Sequence, residues 1–152
     1  MAEPADPRWE SRVRASFARQ SFMRLIGAEI AELAPGRCIV ALAARDDLCQ
    51  QRGFLHGGVT TAIADNAAGY AAYSLMPAGS TPLTVEFKIN LMAPAVGERF
   101  LAHGRVVRPG RTLTICEVEV VAEHNGRTTP IARMLATMIC IENTSDTAQS
   151  GS

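Results

Sequence analysis

The sequence predicts an α+β domain: one curved antiparallel sheet of about six strands wrapped round one long central helix, with a short helix ahead of both. Three observations carry this expectation. Residues 57–76 form a nearly uncharged run of small residues, stopped by Pro77 and Gly79, with none of the broad charged face of a surface helix. Two strand-like runs precede it and four follow. The joints Pro109-Gly110 and Asn125-Gly126 are hairpin signals, which make the last strands antiparallel neighbours rather than parts of crossover units. A helix of about 20 residues and a strand of about 10 both span about 30 Å, so one sheet can enclose the helix along its whole length.

Taken in order, "DPRWESRVRASFARQ" offers an N-cap in Asp6, a proline at the first helical position in Pro7, and apolar residues at Trp9, Val13 and Phe17, the spacing of a short amphipathic helix. "LIGAEIAELAPGRCIVALAARDDL" reads as two strands about the Pro35-Gly36 turn. The polar loop "RDDLCQQRG" leads into the central helix. Of the four strands after it, the first alternates, with Leu83, Val85, Phe87 and Ile89 on one face and Thr84, Glu86, Lys88 and Asn90 on the other. The domain is expected to end near residue 142, and the polar tail 143–152 to be disordered. Repeats and linkers are absent from the sequence.

Composition narrows the function. The 152 residues suit one domain, and 15 basic residues balance 15 acidic ones, so there is no global field to draw nucleic acid or an anionic membrane. Cys38, Cys49, Cys116 and Cys140 form no C-x-x-C pair and read as reduced, mostly buried thiols. His56, His103 and His124 lack the spacing of metal ligands. With no signal peptide and no membrane-length apolar run, a soluble cytoplasmic protein is expected.

The chemistry concentrates in "GFLHGGVTTAIADNAAGYAAYSLM", residues 53–76. The first N–H groups of a helix have no partner within it and carry the positive end of its dipole. Glycine there lets a ligand oxygen approach those donors, so an oxyanion or polarised carbonyl is a natural guest. Gly57 and Gly58 could equally be turning the chain while His56 caps the helix. Asp65, however, is a lone carboxylate in a helix that otherwise avoids charge, and a buried acid is costly unless paired or used. Eight residues of helix separate Gly57 from Asp65, about 12 Å, whereas a reacting carbonyl must lie near both an oxyanion donor and the attacking group. One helix cannot supply both. A two-fold axis between antiparallel copies would set Gly57 of one subunit against Asp65 of the other, twice, so an obligate dimer with shared sites is expected; a dimer and a dimer of dimers are both open to it.

"GFLHGGVTTAIADNAAGYAA", followed by "VEFKINLMAPA", closely resembles the PaaI-like acyl-CoA thioesterases, relatives of the Arthrobacter-type 4-hydroxybenzoyl-CoA thioesterases. The resemblance covers roughly residues 22–142 and implies the hotdog fold, an acyl-CoA substrate and no separate cofactor. It implies that the Gly57 amide polarises the thioester carbonyl and that Asp65 is general base or nucleophile. It also implies that Gln50 reaches the site from across the interface and that His56 orients the loop. Gly58 joins the substrate-binding set. The hydroxyl that Arthrobacter-type enzymes carry one turn after the acid is here Gly69. Other members take a hydroxyl from the following strand, which matches Thr84, as water positioner or as an ordinary strand threonine.

Phe54, Leu55 and Tyr70 are candidates for the acyl pocket, as are Phe22 and Met23 unless these belong to the core; such a lining suits a medium aliphatic or aryl-acetyl group. Arg108 and Arg111 flank the turn where the family often holds the nucleotide end of CoA, or simply solubilise that turn. The same residues admit two rival readings. A hydratase or dehydratase of the same fold would pair His56 with Asp65. A non-catalytic acyl-CoA sensor would need a DNA-binding segment for which 152 residues leave no room.

Overall fold

Small side chains on a helix allow its backbone to lie close to a sheet, and the computed structural model, which describes residues 2–142, is built on that closeness. The central helix α3 (Gly57–Tyr73) presses Ile63, Ala64, Ala67, Ala68, Ala71 and Ala72 into the core. Around it lies one antiparallel sheet of β1 (Glu29–Ala34), β2 (Arg37–Ala43), β3 (Ser80–Leu91), β4 (Arg99–Arg108), β5 (Leu113–His124) and β6 (Arg127–Glu142). The spatial order is β1-β2-β4-β5-β6-β3. Gly104 of β4 marks the nearest approach. A Cβ there would sit 2.4 Å from the Ala67 carbonyl oxygen, so helix backbone and strand meet with no side chain between them.

The turns explain the antiparallel order. Gly36 has φ 72° after Pro35, and Asn125 and Gly126 have φ 49° and 72°, the pairs of signs that tight turns between adjacent strands require. The central helix ends three residues before the expected Met76. Leu75 and Met76 continue in a tighter turn, donating to the Ala72 and Tyr73 carbonyls. The buried Ser74 hydroxyl is fixed there, donating to the Ala71 carbonyl and accepting from the Gly36 amide at 2.7 Å.

Ahead of the sheet lie α1 (Trp9–Arg19) and a second short helix, α2 (Ser21–Ile26), whose last residues, Leu25 and Ile26, open the run expected to be strand. Asp6 does not cap α1 in the expected way. Its carboxylate is buried, takes the Arg8 amide at 2.9 Å and pairs with Arg12 at 3.1 Å. Arg12 in turn donates to the Met76 and Pro77 carbonyls at 2.7 and 2.8 Å and lies 4.3 Å from the Tyr73 ring centroid. A cation thereby meets the negative end of α3, and this docks the N-terminal helices on the core.

The alternation expected for β3 breaks at Val85. Thr84 lies opposite the buried Met138, but Glu86 lies opposite Thr137 and Phe87 opposite Ala136. This bulge reverses the pattern, so Thr84, Phe87, Ile89 and Leu91 share the helix side while Leu83 falls on the outer face with Glu86, Lys88 and Asn90. As an edge strand β3 leaves Leu83, Val85 and Leu91 more than half exposed, at 57%, 55% and 57%.

The cysteines stand free, Cys38, Cys116 and Cys140 buried and Cys49 half-buried, and burial pushes the Cys38 and Cys116 thiols up to about 12. No helix among the described residues is long and apolar enough to cross a membrane. The expected disordered tail, 143–152, lies outside the described residues.

Because the Gly104 contact is backbone against backbone, Gly104→Ala is expected to lower stability by about 1–3 kcal/mol, the range for overpacked cores. Urea denaturation measures this; an unchanged midpoint would mean that the helix can stand off from β4 without cost.

Candidate functional site

Two clefts flank α3. The larger, about 630 Å³, runs between the helix and the start of β3, and Asp65, Asn66, Gly69, Tyr70, Thr84 and Met138 line it. The smaller, about 190 Å³, lies at the start of the helix, between Gln50, Phe54, Leu55, Gly57, Leu91 and Ile131. Asp65 and Gly57 share neither.

Asp65 is half-buried and its Oδ1 accepts the Thr84 hydroxyl at 2.7 Å. The bulge at Val85 places Thr84 there, by turning it onto the helix side. Burial raises the Asp65 carboxyl above its ordinary 3.8, and the Thr84 hydrogen bond partly offsets this by favouring the charged form. One carboxylate oxygen is thus held by Thr84, and the other is left for a proton. Beside it, Asn66 gives its Nδ2 to the Ala62 carbonyl at 3.2 Å, while its shielded Oδ1 has no partner among the described residues. A buried acceptor left so costs about 1–3 kcal/mol.

At the other end, His56 is the N-cap of α3. Its Nδ1 accepts the Gly58 amide at 2.9 Å, which fixes that nitrogen as the unprotonated one and gives the Gly58 N–H a partner within the chain. The Gly57 N–H has no acceptor among the described residues. Gln50 sits in a tight loop closed by the Cys49–Leu55 bridge, where its side chain accepts the Arg52 amide.

The remaining candidates divide. Phe54 and Leu55 line the Gly57 cleft and Tyr70 the Asp65 cleft, so within one chain they do not form a single pocket. Met23 is fully buried in the core and Phe22 is half exposed; neither lines either cleft. Arg108 and Arg111 are exposed at the β4–β5 turn. Arg111 borders a third groove, with Met76, Pro77, Cys140 and Glu142, that includes no residue of the other two. Sequence reasoning missed the roof of the Asp65 cleft, Ser16, Gln20 and Arg24. Gln20 Nε2 donates to the Tyr70 hydroxyl at 2.7 Å and Ser16 Oγ lies 3.2 Å from it. Among the described residues no cluster of His, Cys, Asp and Glu could hold a metal ion.

A family model described as the thioesterase superfamily matches residues 52–129, a span that includes the start of α3, Asp65 and Thr84. The chain belongs to the thioesterase superfamily. Among solved structures, a thioesterase family protein from Silicibacter pomeroyi is 45% identical, with 88% of this chain and 98% of that one covered and a TM-score of 0.87. Acyl-coenzyme A thioesterase 13 of Homo sapiens is 26% identical over 76% of this chain and 83% of its own. The E. coli PaaI protein from the phenylacetic acid degradation operon, at 18% identity, covers 92% of this chain and 98% of that one with a TM-score of 0.81, a likeness of fold. This thioesterase is a thioester hydrolase with the hotdog architecture.

A carboxyl whose affinity for its proton rises on folding penalises the fold wherever it is ionised: fully above its folded value, not at all below the unfolded 3.8. Asp65→Asn keeps an acceptor for Thr84 and is expected to raise Tm at neutral pH, with the gain shrinking as pH falls towards 3.8. Thermal melts of both proteins from pH 7.5 to 3.5 check this. A gain that persists at the acid end would assign the effect to something other than the charge.

Proposed function

We propose that this thioesterase hydrolyses acyl-CoA thioesters as a homodimer whose two sites each combine Gly57 of one chain with Asp65 of the other. The observation that carries the reading is the separation of the two groups: a free helix N-terminal amide in one cleft, and a half-buried carboxylate held by Thr84 in another. Each cleft holds half of what the reaction needs. Two further features support a partner. The β3 edge exposes Leu83, Val85 and Leu91, an apolar edge of the kind that seeks pairing, and Asn66 Oδ1 awaits a donor.

In the reaction the thioester carbonyl oxygen takes the Gly57 N–H, and a water near the free oxygen of the partner's carboxylate attacks the carbonyl carbon. Asp65 accepts the water's proton as the carbon–oxygen bond forms. Negative charge gathers on the carbonyl oxygen, against the amide and the positive end of α3, an arrangement typically worth about 3 kcal/mol. Collapse breaks the carbon–sulfur bond, and CoA leaves as a thiolate with little need of an acid, since a thiol ionises far more readily than an alcohol. Thr84 positions the carboxylate and, through its hydrogen bond, keeps it ionised at lower pH. His56 shapes the loop by capping the helix.

Asp65→Asn is expected to lower kcat on acyl-CoA by about 10²–10⁴-fold, the usual worth of a general base, with KM little changed; release of free thiol measures both. Undiminished turnover would remove Asp65 from the mechanism. Thr84→Val takes away the bond that favours the carboxylate, so the acid limb of its kcat/KM profile is expected at higher pH than in the wild type. A limb that stays in place would mean that Thr84 does not act through Asp65.

A further inference from the structure

Nearly every described glycine has a local reason to be glycine: left-handed backbone at positions 27, 36, 53, 79 and 126, or an atom that a Cβ would crowd at 57, 58, 97, 104 and 110. Gly69 has neither. It is the thirteenth of the seventeen residues of α3, where glycine is among the least favourable residues, and a Cβ built on it meets nothing within 4 Å. Folding of this chain therefore gives no ground for glycine at 69.

Its position supplies one. Gly69 follows Asp65 by one helical turn, about 6 Å, on the same side of the helix, and both line the Asp65 cleft. Residues of the N-terminal helices line the same cleft: Gln20 and Ser16 hold the Tyr70 hydroxyl, and Tyr70 is itself buried, with an edge-to-face contact to Phe17 at 5.5 Å. Arg12 docks those helices on the end of α3, so this wall is fixed. The space left by the missing side chain is thus a lobe of the cleft that Asp65, Thr84, Ser16, Gln20 and Tyr70 also line.

We propose that Gly69 is the selectivity residue of the acyl cleft. The lobe takes the part of the acyl group that extends beyond the carbonyl carbon attacked beside Asp65, and it favours acyl groups long or broad enough to fill it, a hexanoyl chain or a phenylacetyl ring, over acetyl. This rests on the acyl-CoA reading above. Gly69 plays no part in the chemical step: a side chain there fills the lobe and changes the ranking of substrates.

The test compares kcat/KM for acetyl-, hexanoyl- and phenylacetyl-CoA in the wild type, Gly69→Leu and Gly69→Ala, with the assembly state of each measured by light scattering. The expected result is a wild type that prefers the two larger acyl groups. In Gly69→Leu the hexanoyl-to-acetyl and phenylacetyl-to-acetyl ratios fall by about tenfold or more, the scale on which a few methylenes discriminate. Gly69→Ala melts higher than the wild type and shifts both ratios in the same direction by less. Ratios that do not move, or rates that fall equally on all three substrates, would overturn the proposal. Variants that lose their partner chain would also overturn it, since the glycine would then serve subunit packing. Failure of the wild type to release thiol from any of the three would instead strike at the acyl-CoA reading itself, and this inference would fall with it.

Discussion

The contact between Ala67 and Gly104 sets the geometry of everything else. With 2.4 Å between a would-be Cβ and the helix carbonyl, α3 lies as near the sheet as backbone permits. At that depth the side of the helix carrying Asp65 faces the inner surface of β3 instead of solvent, so a strand hydroxyl can reach the carboxylate. The row of buried alanines along the same face keeps the helix level, which holds its N-terminus beside Leu91 and the loop of Gln50. Larger residues at these places would raise the helix and part Asp65 from Thr84.

That depth has an energetic cost. Burying Asp65 raises its affinity for protons, and the Thr84 hydrogen bond returns part of what burial takes away. The chain thus carries a carboxylate that weakens its own fold at neutral pH, in a cleft where water and a thioester could reach it. The Asn66 carbonyl oxygen, shielded and unpartnered, adds a second unmet demand a single residue away. One partly compensated and one unpartnered polar group at adjoining positions of one helix are hard to explain by stability, and both suit a surface that is completed by ligand and partner.

Much of this was legible in the sequence. Small residues from 57 onward foretold a helix enclosed by a sheet, and Pro35-Gly36 and Asn125-Gly126 foretold adjacent antiparallel strands. The rise between Gly57 and Asp65 sufficed to show that the two groups could not meet within a chain. Three features were hidden, each for a physical reason. The six residues of α2 are too few to show a helical period. The bulge at Val85 leaves the alternation of β3 intact on paper while reversing it in space, and only the pairing with β6 reveals that Thr84 and Phe87 face the same way. The roof of the Asp65 cleft joins residues 50 and 54 positions apart, a separation for which local patterning has no signal. His56 shows the opposite case, since the plain reading of it as a cap is what its geometry displays.

Subunit complementation reads out whether each site takes Gly57 from one chain and Asp65 from the other. Asp65→Asn and Gly57→Val, each inactive alone, are unfolded together and refolded at equal concentrations. Half of the dimers then contain one chain of each kind, and each of these has one intact site out of two. Shared sites should recover about a quarter of wild-type thiol release in the mixture; activity no greater than that of the separate variants would place both groups of a site within one chain, because such a site cannot be restored by exchange.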